Sequence, residues 1–262
     1  PGPAVGPDKI VCTVKHFAAH GSPEGGVNLS PVAGGLRDLY TLYLPPFRAA
    51  VVEAGALCVM PAYSEYDGVP ASASKLLLTR VLREQWGFRG YTFSDYGGIH
   101  QLHTFHKTAH SPAEAGAQAL RAGMDLEAPG DYGFGAALLD LVSRGEVSAD
   151  LVDRAVERIL RVKFLAGVFD RPWADPKAAA RVVNAPAHRA LARQAAQESI
   201  VLLKNAKDLL PLSPDLGSIA VIGPNAAVAR FGDYSCSKDS AVTPLAGIRA
   251  AVSRKTLVRY AA

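Results

Sequence analysis

Four short apolar runs, each ending on polar residues and each followed by a helix-forming stretch, set the tightest limit on how this chain can fold. They are residues 10–17 (IVCTVKHF), 56–60 (ALCVM), 91–93 (YTF) and 124–127 (MDLE). The first is apolar enough to be buried on both faces, as in a parallel sheet. The intervening helices are equally legible. Residues 36–54 form one, expected in two pieces because Pro45-Pro46 interrupts it. In residues 75–86, Leu77, Leu78, Val81 and Leu82 fall on one face. At Ser111-Pro112-Ala113-Glu114, Ser can cap, Pro fits the first helical position and Glu sits where a capping box needs it; Gly123 ends that helix. Ser148 caps a fourth, with Leu151, Val152, Ala155, Val156, Ile159 and Leu160 as its apolar stripe. Arg161 and Lys163 lie in its last turn and Gly167 follows. Strand and helix in alternation imply right-handed βαβ units and a parallel sheet or barrel. Four repeats suit a small open sheet, or half of an eight-stranded barrel, which takes about 250 residues.

After this rhythm the pattern changes. Residues 168–186, with Pro172, Pro176 and Pro186, read as a linker. A helix over 187–198 and two β-rich runs, 200–203 and 219–222, then lead into Gly223-Pro224-Asn225, like the opening of a second α/β domain. Apolar residues are 49% of the 262, enough for a packed core, and the net charge of +4 is scattered. No basic stripe interleaved with aromatics points to nucleic acid, and no apolar run approaches a membrane span. Cys12 and Cys58 sit in apolar runs and read as small buried residues; with Cys236 they show no metal-ligand spacing.

The chemistry gathers at the strand ends: Lys15-His16, Met60 and Tyr63, Asp95, and Glu127. Asp95 stands in Gly90-Tyr91-Thr92-Phe93-Ser94-Asp95-Tyr96-Gly97-Gly98, where a short strand empties into a glycine loop. In a barrel such ends converge on one mouth. A cation, an imidazole, a phenol and a carboxylate facing one pocket suit a polyhydroxylated ligand. The plainer reading of Asp95 is a cap for the next helix. His100, His103 and His106 recur every three residues, but spacing of three drifts around a helix; they read as solvated loop histidines. Asp67-Gly68 is a turn.

The ordered motifs resemble glycoside hydrolase family 3, which includes β-glucosidases and β-xylosidases. They are Lys15-His16-Phe17, residues 37–47 (RDLYTLYLPPF), 59–70 (VMPAYSEYDGVP), 77–96 (LLTRVLREQWGFRGYTFSDY), 122–125 (AGMD), 155–169 (AVERILRVKFLAGVF), 199–205 (SIVLLKN) and 219–225 (IAVIGPN). The resemblance implies the second half of a (β/α)8 barrel over residues 1–167, a linker over 168–186 and the incomplete start of an α/β sandwich over 187–262. It implies a retaining, exo-acting hydrolase of terminal β-D-glucosyl or related residues, working without cofactor. In that reading Asp95 is the nucleophile, Lys15 and His16 bind sugar hydroxyls, and Met60, Tyr63 and Tyr96 line the site.

Retention needs a second carboxyl about 5–5.5 Å from the first. In two-domain members that acid/base is a Glu on the second domain, beyond this stretch, so none is assigned here; Glu127 and Glu24 are expected to be structural. Val27 falls where many members carry a substrate-contacting Arg. His20 has no Asp-Ser-His after it, against the N-acetylglucosaminidase branch. Alternatives are β-xylosidase specificity, or a non-catalytic chain that binds sugar or serves an assembly. The expected partner is a carbohydrate, with neither nucleic acid nor membrane, and an exposed barrel edge would favour self-association. The sequence leaves the compartment open: the family includes periplasmic and extracellular members, and a cytoplasmic setting is equally compatible.

Overall fold

The computed structural model describes residues 5–6, 9–232, 234–235 and 241–262; Cys236 lies outside them. The fold is mixed α/β and divides into two compact units, 1–176 and 177–262.

The first unit is built on a parallel sheet of order β1-β2-β5, formed by β1 (Thr13–Phe17), β2 (Cys58–Pro61) and β5 (Tyr91–Thr92). Between β2 and β5, β3 (Glu65–Tyr66) and β4 (Val69–Pro70) make a hairpin. Its turn is Asp67-Gly68, both residues at positive φ, the conformation a two-residue hairpin turn demands. Helices cover the sheet: α1 (36–53), α2 (Leu76–Gln85), α3 (Gly98–Thr104), α4 (Pro112–Ala122), α5 (Ala136–Ser143) and α6 (Ala149–Leu165). All four residues expected on the inner face of α2 are buried, in one core with Phe17, Leu39, Leu44, Val59, Ile99 and Met124. At roughly 1.5–3 kcal/mol for each large apolar side chain removed from water, this core is the main stabilising term.

Several expectations need correction. Residues 10–12 do not extend β1: Ile10 is 84% exposed and Cys12 is exposed as well. Among the described residues β1 pairs only with β2. The helix at 36–53 runs through Pro45-Pro46 without a break. The segments Leu36–Asp38 and Leu44–Arg48 alternate with wider π-type turns at Leu39–Tyr43 and Ala49–Glu53. Proline lacks an N–H and crowds the carbonyl of the preceding turn, and a widened turn absorbs both effects. Residues 124–127 form a single bridge, Phe93 to Leu126, rather than a strand. Helix α5 carries no strong cap and escaped the sequence reading. On α6, Ala155 is buried, but Val156 and Leu160 remain substantially exposed.

The start of α4 follows its signature with one shift. Ser111 Oγ accepts from the Glu114 N–H at 3.2 Å, while Glu114 Oε2 reaches back to the His110 N–H, one residue before the cap. Packing of α4 on the loop after Glu127 depends on two glycines. A Cβ on Gly116 would lie 2.0 Å from the Gly133 carbonyl.

In the second unit, β6 (Ser218–Ile222) pairs in parallel with β7 (Leu257–Ala261), and α9 (Pro244–Ala251) connects them. Helices α7 (Pro176–Val182) and α8 (Pro186–Glu198) precede them, α7 within the stretch read as linker. Residues 200–203, read as a β-rich run, have no strand partner among the described residues and are exposed, Leu203 at 92%. Without a neighbouring strand, β propensity alone does not make a sheet.

Candidate active site

β5 is the last strand of the three-stranded sheet, and a buried polar knot holds it there. Asp125, whose side chain is wholly buried, takes Arg83 Nη2 at 2.6 Å on Oδ2 and Arg158 Nη1 at 2.8 Å on Oδ1. The Thr92 N–H also donates to Oδ2 at 2.8 Å, and the Asp125 N–H donates to Thr92 Oγ1 at 3.1 Å. Arg83 further donates to the carbonyls of Gly90 and Gly123. Burial lowers the proton affinity of Arg83, which Asp125 partly restores. One carboxylate thus ties α2, β5, the 123–125 turn and α6 together.

Beyond Thr92 the chain turns polar. Ser94 is fully buried; its N–H donates to Leu126 O and its Oγ accepts from the Ala128 N–H. Asp95 follows, 9% exposed. Oδ1 accepts from the Tyr96 N–H at 2.7 Å and lies 3.0 Å from the Tyr63 hydroxyl. That hydroxyl is also 2.8 Å from Tyr96 O, so its single proton serves either acceptor. Oδ2 faces His16 Nε2 at 3.2 Å. The capping alternative does not hold: Gly97, at φ 72°, is the N-cap of α3, and no side chain caps that helix.

The sequence-selected residues are therefore arranged unequally. His16, Tyr63 and Asp95 meet directly. Lys15 is exposed, yet close enough to act on His16 electrostatically. Burial lowers the His16 pKa first, then His20 and Lys15, while Asp95 opposes them. Met60 is buried on β2. Tyr96 meets Asp95 through its backbone N–H, and the residue is 65% exposed. Val27, at the position where many family members carry an arginine, is exposed on the loop after β1.

Two further histidines, His20 and His106, take up contacts at the site that their sequence context does not announce. His20 stacks on His16 with ring centroids 4.1 Å apart, and its Nδ1 is buried without a partner. His106, expected in solvent, has a side chain only 3% exposed. Its Nε2 lies 2.9 Å from Tyr63 O and so carries the proton, fixing the backbone of the residue that reaches Asp95. Burial is the first cause of its lowered pKa. Of the triplet, only His100 is fully at the surface, packed edge-on against Tyr132; His103 Nδ1 meets Ala109 O. Spacing in sequence carries no signal for any of these contacts, which join separate loops.

Glu127 is held by structure. Its carboxylate accepts from the N–H groups of Gly133 (2.9 Å) and Phe134 (2.8 Å), and burial still raises its pKa against those donors. It fastens the loop that leads to α5.

Comparison with known proteins agrees with this arrangement of motifs. Over 261 residues the chain is 39% identical to the periplasmic beta-glucosidase of Salmonella typhimurium, covering 96% of this chain and 34% of that one. It is also 39% identical to a putative beta-xylosidase of Formosa agariphila, over 82% of this chain and 28% of that protein. A solved β-glucosidase structure from Erythrobacter marinus matches with TM-score 0.90 and 43% identity, covering 97% of this chain and 34% of its own. The chain thus spans about a third of the length of these relatives. Residues 4–162 match the glycosyl hydrolase family 3 N-terminal domain and residues 200–262 its C-terminal domain; with motifs, fold and relatives in accord, the chain belongs to glycosyl hydrolase family 3.

Proposed function

We propose that this chain is part of a retaining, exo-acting β-glycosidase in which Asp95 is the nucleophile. The observation that carries the proposal is the setting of the Asp95 carboxylate. It is nearly buried at a strand exit, yet satisfied by Tyr63, Tyr96 and His16 rather than by a structural cation. Two donors converge on Oδ1, so Oδ2, facing His16, is the oxygen assigned to attack the anomeric carbon. Lys15, His16 and Tyr63 are assigned to sugar hydroxyls, with Met60 and the Tyr96 ring as apolar walls. The first unit is read as half of a (β/α)8 barrel and the second as the start of an α/β sandwich. Glucosyl and xylosyl substrates both fit, since relatives of each name stand at equal identity.

The acid/base is not assigned to this chain, because Glu127 is committed to Gly133 and Phe134. That same observation supports a second reading, in which this chain alone binds sugar without turning it over. Among the described residues β1 has a strand neighbour on one side only, which further favours association of copies; sedimentation would reveal it, and a monomer at high concentration refutes it.

The nucleophile can be tested apart from the acid, because a good leaving group departs without protonation. The chain is incubated with 2,4-dinitrophenyl 2-deoxy-2-fluoro-β-glucoside and its xyloside counterpart, and adducts are mapped by peptide mass. The expected result is one fluoroglycosyl group on the peptide carrying Asp95, absent from Asp95→Asn. An adduct on another residue, or full labelling of Asp95→Asn, overturns the assignment. No adduct on the wild-type chain selects the non-catalytic reading.

A further inference from the structure

At the end of β5 where the strand begins, away from the Asp95 exit, five arginines gather at one cleft. Arg83 lies near the end of α2, Arg89 leads into β5, and Arg154, Arg158 and Arg161 stand on α6. With Phe88 they line a cleft of about 260 Å³. Residues 154, 158 and 161 are spaced by four and three, so they share one face of the helix.

Their charge is not balanced locally. Asp125 satisfies Arg83 and Arg158. Arg161 Nη1 donates at 2.7 Å to Arg89 O, which is neutral. Among the described residues, Arg89 and Arg154 make no ion pair, and Glu157, the one carboxylate lining the cleft, bridges to none of the five. Arg83 Nε is buried with no hydrogen-bond partner. Like charges held together repel one another unless an anion enters among them. The planar guanidinium fork matches the oxygens of phosphate or sulfate two at a time, which a lone ammonium cannot do.

We propose that this cleft binds a doubly charged oxyanion, a phosphate group by preference, with Arg89, Arg154 and Arg161 as its ligands. Arg83 and Arg158 supply the positive field while they hold Asp125. The Phe88 ring offers an apolar wall to whatever a phosphate ester carries.

Titration calorimetry of the whole chain with inorganic phosphate, at constant ionic strength set with sodium chloride, tests this directly. The expected result is saturable binding, weakened at least tenfold in Arg89→Gln/Arg154→Gln and unchanged in Arg189→Gln on α8. Both cleft substitutions are at exposed side chains, so the fold survives them, and far-ultraviolet circular dichroism verifies that. No heat above dilution, or equal binding by the cleft variant, overturns the proposal. A rise in melting temperature with phosphate that persists in the cleft variant is the general exclusion effect of such salts and counts against it too. Phenyl phosphate binding more tightly than inorganic phosphate identifies an esterified phosphate as the ligand; equal or weaker binding identifies the free ion.

Discussion

Asp125→Ala should be the most damaging single change in the first unit that leaves the apolar core intact. It removes a fully buried carboxylate that accepts from Arg83, Arg158 and the Thr92 N–H. Breaking a buried pair by deleting one partner costs about 3–5 kcal/mol, chiefly from the charge left behind. Orphaning a buried N–H costs about 1–3 kcal/mol. Both penalties stem from one carboxylate and overlap, so the expected total is about 3–5 kcal/mol. Arg158 contributes less than Arg83, since its side chain is 26% exposed against 11% and can rehydrate. Arg158→Ala should therefore cost about 1 kcal/mol, as a partly screened pair does. Asp125→Asn keeps the shape and one acceptor, and should fall between the two. Urea unfolding followed by tryptophan fluorescence reports this well. Trp86 packs on Phe17 in the core with ring centroids 5.8 Å apart, whereas Trp173 is already 90% exposed and changes little. With a slope of about 2–3 kcal/mol/M, the Asp125→Ala midpoint should drop by about 1–2.5 M. A drop below about 0.3 M at unchanged slope, or a larger loss in Arg158→Ala than in Asp125→Ala, would show that the knot does not hold β5.

Four other outcomes follow from the same geometry. Tyr63→Phe removes a hydroxyl donor from Asp95 and should slow fluoroglycoside labelling by about tenfold, the worth of one hydrogen bond to a charged group; an unchanged rate would place Tyr63 outside the reaction. Glu127→Gln turns one acceptor into a donor facing the Gly133 and Phe134 N–H groups, at a cost of about 1–3 kcal/mol, and limited proteolysis should cut the 128–135 loop faster. Gly116→Ala cannot be seated without moving the Gly133 backbone, so overpacking should cost about 1–3 kcal/mol in thermal unfolding. Stability should also fall in mild acid. His16 and His106 are held below their ordinary pKa by burial, so below pH about 6.5 the unfolded chain takes up protons that the folded chain resists. Their effect is flat above that pH and grows as pH falls toward the depressed folded values. Urea midpoints at pH 7.5 and 5.5 measure the loss, and His106→Gln should shrink it.

Much of this molecule could be read along the chain because the relevant physics is local. Apolar spacing placed the buried face of α2 on Leu77, Leu78, Val81 and Leu82, and Ser111, Pro112 and Gly123 marked the ends of α4. Asp95 could be set at a strand exit because a buried strand must end where its residues turn polar. The family followed from the order of the motifs, each too short to be telling by itself. The decisions left to tertiary structure all join residues far apart in sequence. Pro45-Pro46 broke no helix, because widened turns on either side absorbed the two missing donors. Residues 200–203 stay out of any sheet because no described strand lies beside them. His106 was drawn from solvent by Tyr63, 43 positions earlier. Asp125 became the centre of a knot whose arginines arrive from two different helices, and the arginines left over gathered at a cleft that no spacing in the sequence announces. Propensity and period describe a residue and its near neighbours, whereas burial, pairing and charge balance depend on which distant segments the fold brings against it.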